Sequence, residues 1–341
     1  MNFLRKILFP LAIVYGGITG IRNLFFDKGI LKSHSFDLPV IAVGNLSVGG
    51  TGKTPQIEYL IRLLSGKYKI ATLSRGYKRK SEGFVLADAA SNAAILGDEP
   101  FQFYRKFPEV MVAVDANRTN GIQQLLQQQE KPEVILLDDA FQHRKVKAGF
   151  YIMLTAYNDL YTDDLILPAG NLRESRSGVN RADIVVVTKC PENLTAIQQN
   201  EIKTRFKLAT HQQLFFTFIQ YHDAVFSEEN SIAVKDIDSG KVLLVAGIAK
   251  PEPFFNHLKA AKNNCMAFPD HHDFTDKDIA EIKQKANNKI IITTEKDYVR
   301  LAGKLPSEQL FYLPIISSFV GNKDEFDKTI LDYVGASTRN S

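Results

Sequence analysis

Between residues 43 and 55 the chain reads V-G-N-L-S-V-G-G-T-G-K-T-P, and no other stretch limits its fold so tightly. The apolar run at 41–43 predicts a short buried strand, and residues 56–64 predict a helix. A glycine-rich turn from strand into helix, closing on Gly52-Lys53-Thr54, is a phosphate cradle. Its glycines let backbone N–H groups turn inward, and the helix N-terminus adds the positive end of its dipole. Lys53 is placed to reach the β- and γ-phosphates of a nucleoside triphosphate, and the Thr54 hydroxyl to take a position on Mg²⁺. Ser47 stands where the usual G-x-x-x-x-G-K-[ST] pattern has its first glycine, while the doublet Gly49-Gly50 lies nearer the lysine. The expected nucleotide-binding residues are Ser47, Val48, Gly49, Gly50, Thr51, Gly52, Lys53 and Thr54. A glycine turn that binds nothing would not need strand, glycines, Lys, Thr and helix in this order.

The rest of the chain sets bounds on what such a loop can serve. Its 341 residues are enough for two domains and a sizeable core. A hydrophobic content of 45% with 23% charged residues is that of a globular protein. The net charge of +4 is too small to argue for a nucleic-acid partner. Cys190 and Cys265 have no metal-type spacing and suit a reducing compartment. Near the N-terminus, Arg5-Lys6 precede the uncharged residues 7–21, and Arg22 and Lys28 follow. Fifteen helical residues rise about 22 Å, short of the roughly 30 Å hydrocarbon core. Pro10, Gly16, Gly17 and Gly20 also weaken a spanning helix. A signal peptide and a buried core helix are the competing readings. The favoured one is a segment lying in a membrane surface, its basic flanks on anionic headgroups.

Apolar runs ending in polar clusters then recur, with strands expected at 69–73, 110–114, 133–137, 150–154 and 184–187. Helical patterns lie between several of them, at 100–107 and 120–129. This alternation predicts a mostly parallel α/β sheet of the P-loop NTPase type, with active-site residues at the carboxyl ends of its strands. A second, smaller α/β domain is expected after about residue 225, with residues 214–226 as an extended connection. The predicted organisation is a membrane-associating helix at 1–28, a P-loop domain at 29–225 and a smaller domain at 226–341.

Several clusters at strand ends carry candidate chemistry. The run V-I-L-L-D-D at 134–139 is an apolar strand ending in two acids, Asp138 and Asp139. Beside a phosphate loop, such acids hold Mg²⁺ through water and orient its neighbours, although Asp also caps strand ends in turns. Gln142 and His143 follow near the same strand end. Asp98 in G-D-E-P reads on its own as a helix N-cap with Pro100 near the first helical position. His271 and His272 lie between Asp270 and Asp273, a poor spacing for zinc. A proton-carrying His and a structural one are both open there. Arg173 lies in the loop at 167–175, and Arg75 and Arg118 follow strand ends; each can grip phosphate bidentately, or form a surface ion pair.

Taken together these segments resemble one family, the tetraacyldisaccharide 4′-kinases (lipid A 4′-kinases) of Gram-negative bacteria. The resemblance rests on residues 43–55, S-R-G-Y at 74–77, G-D-E-P at 97–100 and L-D-D-A-F-Q-H at 137–143. It continues through L-P-A-G-x-L-R-E at 167–174, V-A-G-I at 245–248, F-P-D-H at 268–271 and T-E-K-D at 294–297. It implies ATP- and Mg²⁺-dependent phosphorylation of the 4′-hydroxyl of a tetraacylated glucosamine disaccharide 1-phosphate, a membrane-embedded lipid A precursor. It places the enzyme at the cytoplasmic face of the inner membrane, with no obligate protein partner inferred. By the same resemblance Lys53 and Thr54 serve the phosphates, Asp138 and Asp139 the metal, and Asp98 with His271 forms a base dyad. Arg75, Tyr77, Arg118, Gln142, His143, Arg173 and Glu174 are the implied substrate contacts. Two other classes remain as alternatives: a P-loop switch protein, and a membrane scaffold with a dead nucleotide site. Thr188-Lys189 ends a strand where guanine-reading proteins carry N-K-x-D, but Thr replaces Asn and Glu192 is out of register.

Overall fold

The computed structural model describes residue 5 and residues 7–338. Lys6, half of the expected basic flank, lies outside the described residues. In chain order the strands are β1 (Val40–Asn45), β2 (Ile70–Ser74), β3 (Val85–Leu86), β4 (Met111–Val114), β5 (Val134–Asp138), β6 (Phe150–Ala156), β7 (Ile184–Thr188) and β8 (Gln213–Tyr221). They continue as β9 (Ala224–Phe226), β10 (Ser231–Ala233), β11 (Val242–Ala246), β12 (Cys265–Ala267), β13 (Ile290–Thr294), β14 (Leu310–Leu313) and β15 (Ile315–Phe319). The α-helices are α1 (Phe9–Asp27), α2 (Lys53–Leu64), α3 (Ala93–Leu96), α4 (Asp98–Lys106), α5 (Arg118–Leu126), α6 (Ala196–Phe206), α7 (Glu252–His257), α8 (Asp276–Ala286), α9 (Glu295–Leu301) and α10 (Lys323–Thr338).

A nine-stranded sheet runs β15-β8-β7-β6-β1-β5-β2-β4-β3. Its seven inner strands are parallel, and β15 and β3 close the two edges antiparallel. Every residue of β1, β5 and β7 is buried, which is why these strands read as unbroken apolar runs rather than alternating ones. Consecutive units wind outward on both sides of β1, to β5 and β2 one way and to β6 and β7 the other. A crevice opens at such a reversal, outside the carboxyl ends of the strands. The phosphate loop leaves β1 at that point.

The second sheet runs β10-β9-β14-β13-β11-β12 and has its own core around Leu243, Val245, Ile282 and Ile291. The chain crosses between the sheets at β8 to β9, which resolves the expected extended connection into two strands in different sheets. The boundary expected at the far end is different. Residues after 225 do not all belong to the smaller domain, because β15 pairs with β8 and α10 buries Phe326, Ile330 and Val334 in the first core. That face of α10 repeats every four residues, so it forms one apolar stripe against Ile57, Leu60 and Phe215.

Local signals account for most helix starts. Thr195 and Thr275 form reciprocal capping boxes with Gln198 and Asp278 at the starts of α6 and α8. Asp98 differs from its expected place: Gly97 is the N-cap of α4, and Asp98 is the first helical residue. Its carboxylate is thereby freed from capping its own helix. Helix α1 is also longer than the uncharged run, because Arg22 does not interrupt it. Ala12 and Phe26 are its buried residues, while Leu11, Ile13, Val14, Ile18 and Ile21 are more than half exposed.

Candidate active site

The phosphate loop is built by backbone conformation that side chains oppose. Gly49 has φ 112° and Gly52 has φ 83°, both left-handed positions that glycine enters without strain. Gly52 is the N-cap of α2, so Lys53 and Thr54 open the helix with the first backbone N–H groups. The end of β7, two strands away from β1, holds the loop. Thr188 Oγ1 donates to the Thr51 carbonyl at 2.7 Å, and Lys189 Nζ to the Gly50 carbonyl at 2.6 Å. The strand-end pair Thr188-Lys189 thus braces the phosphate loop. Ser47 is buried and bridges to Leu172, and the exposed Val48 donates its N–H to the Asn171 carbonyl at 2.8 Å.

Lys53 Nζ lies 3.6 Å from Asp139 Oδ1 and 3.5 Å from Asn45 Oδ1. Arg173 NH1 donates to both Asp139 oxygens, at 2.9 and 3.1 Å. Burial works against the charge of Asp139, but Lys53 and Arg173 outweigh it and hold the carboxyl below its ordinary range. Asp138 is the opposite case. Burial, and after it the neighbouring Asp139, push its carboxyl up to about 6. Ser74 Oγ lies 3.4 Å from Asp138 Oδ2, while Oδ1 is buried with no hydrogen-bond partner. The two acids are therefore not equivalent: Asp139 is spoken for by cations, and Asp138 presents an open oxygen. Asp139 has φ 48°, a strained value for a non-glycine residue. It turns the second carboxylate away from the strand direction toward Lys53.

The implied substrate residues divide by burial. Arg75 is exposed and makes no hydrogen bond or ion pair among the described residues. Tyr77 is 62% exposed and stands edge-on to the His271 ring at 5.8 Å between centroids. Arg118, expected as a phosphate grip, is buried, and its guanidinium donates to the backbone carbonyls of Asp115 and Asp138 at 2.5 and 3.4 Å. It ties the ends of β4 and β5 together from below. Glu174 is buried too, and accepts from Asn23, Gln142 and Arg181 at 2.7, 2.9 and 2.8 Å. It fastens α1 to the loop around Arg173. Gln142 also donates to the Asn45 carbonyl at 2.8 Å. Burial, and then the nearby Arg118 and Arg75, pull His143 down to about 4, so its ring is neutral at neutral pH.

From the second domain, His271 reaches the first. Its Nδ1 is 3.6 Å from Asp98 Oδ2, so the two segments implied as a dyad do meet. Two cations that the residue-level reading assigned no role complete the cluster. Lys296 Nζ is 2.8 Å from His271 Nε2, and Arg300 NH2 is 3.1 Å from Nδ1 while also donating to Asp98 Oδ2, with Arg300 Nε donating to Asp98 Oδ1. Lys296 and Arg300 lie four apart on α9, hence on one helix face. A neutral imidazole has one lone pair and cannot accept from both. With N–H on Nδ1, on the Asp98 side, the lone pair on Nε2 accepts from Lys296 and Arg300 is left to Asp98; with N–H on Nε2, Nδ1 accepts from Arg300 instead. His271 itself has φ 57°, a second strained residue in the cluster. The T-E-K-D segment at 294–297 was the one sequence signal pointing at Lys296.

A phosphate loop at the sheet's reversal point, an acid with an open oxygen beside it, and a histidine–carboxylate pair facing it from a second domain define a P-loop phosphotransferase. The tetraacyldisaccharide-1-P 4'-kinase profile matches residues 4–335. The chain belongs to that family. It is 68% identical over 334 residues to the tetraacyldisaccharide 4'-kinase of Flavobacterium johnsoniae, covering 98% of both chains. It is 46% identical to that of Bacteroides thetaiotaomicron, covering 99% of this chain and 95% of the relative. Among solved structures, LpxK of Aquifex aeolicus in complex with ATP superposes with a TM-score of 0.79 at 32% identity, covering 97% of this chain and all of that one.

Proposed function

We propose that this chain transfers the γ-phosphoryl group of ATP to the 4′-hydroxyl of a tetraacylated glucosamine disaccharide 1-phosphate, a step in making lipid A. Family membership over nearly the whole chain supports the activity, and the ATP complex of the Aquifex relative supports the donor. The observation that carries the mechanism is the meeting of His271 with Asp98 across the two domains. A sugar hydroxyl is a poor nucleophile until its proton is taken. His271 Nε2 accepts that proton once Lys296 withdraws from it, and Asp98 holds the ring and stabilises the imidazolium that forms.

On the donor side, Lys53 and the backbone N–H groups of residues 49–54 hold the phosphates and meet charge that builds up as the phosphoryl group moves. The residues fit a divalent cation: Asp138 Oδ1 is a buried oxygen with no hydrogen-bond partner, and Thr54 is the second residue of α2 at the end of the phosphate loop. Mg²⁺, when bound, supplies charge neutralisation on the β- and γ-phosphates. Thr54 and Asp138 would hold it, while Asp139 keeps Lys53 and Arg173 in place. Arg75 and Tyr77 are the exposed groups left to meet the acceptor.

Helix α1 is long and apolar enough to span a membrane by length and composition. Its contacts favour association beside the active site: Tyr15 donates to the Arg173 carbonyl at 3.1 Å and Arg22 to the Gln142 carbonyl at 3.2 Å. The acceptor's acyl chains lie in the bilayer and ATP is cytosolic, which supports a transfer site at the cytoplasmic face of the inner membrane. The direct test is transfer of ³²P from ATP to the purified disaccharide acceptor, followed by chromatography. Labelled lipid is expected; ATP turnover that ignores the acceptor would refute the reading.

A further inference from the structure

A cavity of about 710 Å³ opens where α1 ends, between the loop that follows it and the segment joining β5 to β6. It is not the nucleotide crevice. Tyr151 in its wall pairs with Ala42, three residues before the end of β1, so that wall lies roughly 10 Å below the phosphate loop along the strand direction.

Its lining is strongly cationic: Lys32, Arg144, Lys147 and Arg181, with His34, against Asp27 as the acid. Asp27 is already paired with Arg144 at 2.6 Å. Arg181 pairs with Glu174, but its Nε is buried with no hydrogen-bond partner. Lys32 and Lys147 are exposed and have no ion pair among the described residues. The rim is apolar in the other sense. Leu24, Phe25, Ile30 and Leu31 are exposed, carrying the apolar surface of α1 to the cavity's mouth. Arg22 and Arg144 both lie against the Phe26 ring, at 5.1 and 5.3 Å, and fix the end of the helix there. Exposed apolar residues adjoining a hollow in which Lys32 and Lys147 have no ion pair among the described residues fit an amphiphile whose head carries a phosphate ester.

We propose that this cavity binds the phosphate headgroup of a lipid. The proposal rests on the lipid-kinase reading in one respect, that α1 meets a bilayer. Two sources share the chemistry: an anionic phospholipid of the bilayer, and the phosphate that the acceptor carries at the end remote from its 4′-hydroxyl.

The test uses the full chain with Lys32→Gln and Lys147→Gln together, and Lys283→Gln with Lys285→Gln as a charge-matched control on exposed positions of α8. Co-sedimentation is measured with phosphatidylcholine vesicles, with and without phosphatidylglycerol, and KM and kcat are measured for the disaccharide acceptor. A lysine near an anionic surface is worth about fivefold in binding, so losing both is expected to weaken one readout roughly 25-fold. A loss confined to phosphatidylglycerol-dependent binding assigns the site to bilayer phospholipid. A rise confined to acceptor KM assigns it to the acceptor's own phosphate, and both together mean that either head is taken. No change in either readout, or an equal loss in the control pair, overturns the proposal. The kinase reading is judged separately, by kcat of the unaltered protein, and kcat of the Lys32/Lys147 variant is expected to stay within about twofold of it.

Discussion

Replacing Asp98 by Asn tests the cross-domain base directly. The exchange keeps shape and removes one negative charge, and Asp98 is the first residue of α4 without capping it, so the helix has no reason to unravel. In the resting arrangement the charge is shared between Arg300 and the ring of His271. In the proposed transfer, the acceptor proton moves to Nε2 and the ring becomes an imidazolium, with Asp98 Oδ2 3.6 Å from Nδ1. At an effective dielectric of about 20, unit charges at that separation attract by about 4–5 kcal/mol. The side chains are 23% and 14% exposed, so solvent screens little of this. Arg300 on the same carboxylate reduces it more, leaving about 2–4 kcal/mol, or roughly 30- to 1000-fold in kcat. With Asp98 neutral, the imidazolium also faces Lys296 and Arg300 uncompensated. ATP affinity should hold within about twofold, because Asp98 has no contact with the phosphate loop. The assay is initial-rate lipid phosphorylation at saturating ATP and acceptor, repeated in a His271→Ala background. There, Asp98→Asn should add almost nothing, because the two act as one unit. A single-variant loss below about threefold, or a further tenfold loss in the double variant, would refute the reasoning.

Three more outcomes follow from other parts of the structure. Gly44→Ala would place a Cβ 2.7 Å from the Cβ of Phe141, so chemical denaturation should show a loss of about 1–3 kcal/mol with a matching fall in activity. Burial, and then Glu58, raise Glu295 to about 7 from its ordinary 4.5. The folded state therefore holds a proton that the unfolded chain has released between those values, and stability should fall as pH rises through that window. The slope is at most about 1.4 kcal/mol per pH unit, and a Glu295→Gln variant should lose it. Removing residues 1–21, which leaves the Asn23–Glu174 contact intact, should deplete the membrane fraction and raise acceptor KM more than it lowers kcat.

The donor half of the site was legible because its signals are local. Glycines, Lys53 and Thr54 sit in one loop, and Asp138 and Asp139 end one apolar strand, so a short window contains each arrangement. The inequality of the two acids was not legible. It depends on Arg173 and Lys53 converging on Asp139 from separate segments and on the buried surroundings of Asp138. Arg118 misled for the same reason. Following a strand end is compatible with gripping a ligand and with bracing β4 and β5 from inside, and only burial separates them. The return of β15 and α10 to the first domain left little trace in the pattern, since an amphipathic helix looks alike whichever core it joins. The one hint is Pro314, which interrupts the apolar run between β14 and β15. Without an N–H it cannot donate to a ladder, so it marks where the chain leaves one sheet for the other.

That return has a mechanical consequence. The smaller domain is inserted between β8 and β15, so it is joined to the larger one by two adjacent antiparallel crossings. Tyr221 pairs with Ile315, and the His222 N–H donates to the Pro314 carbonyl at 3.0 Å. Two neighbouring strands resist twisting but permit bending, which is the geometry of a hinge. Besides the edge-on contact of Tyr77 with His271, several contacts between the domains are charged: Lys106 with Glu295 at 2.6 Å, Arg105 with Glu228 at 2.8 Å, and Arg300 with Asp98. Apolar interfaces resist sliding because water must enter them, whereas ion pairs can exchange partners as surfaces shift. The contact of Lys296 with His271 Nε2 belongs to the same movable set. A bend that draws Lys296 toward incoming phosphate charge would uncover the base only when the donor is present. Under the proposed mechanism, the charged lining of this interface would tie exposure of His271 to occupation of the phosphate loop, and so limit wasteful hydrolysis of ATP.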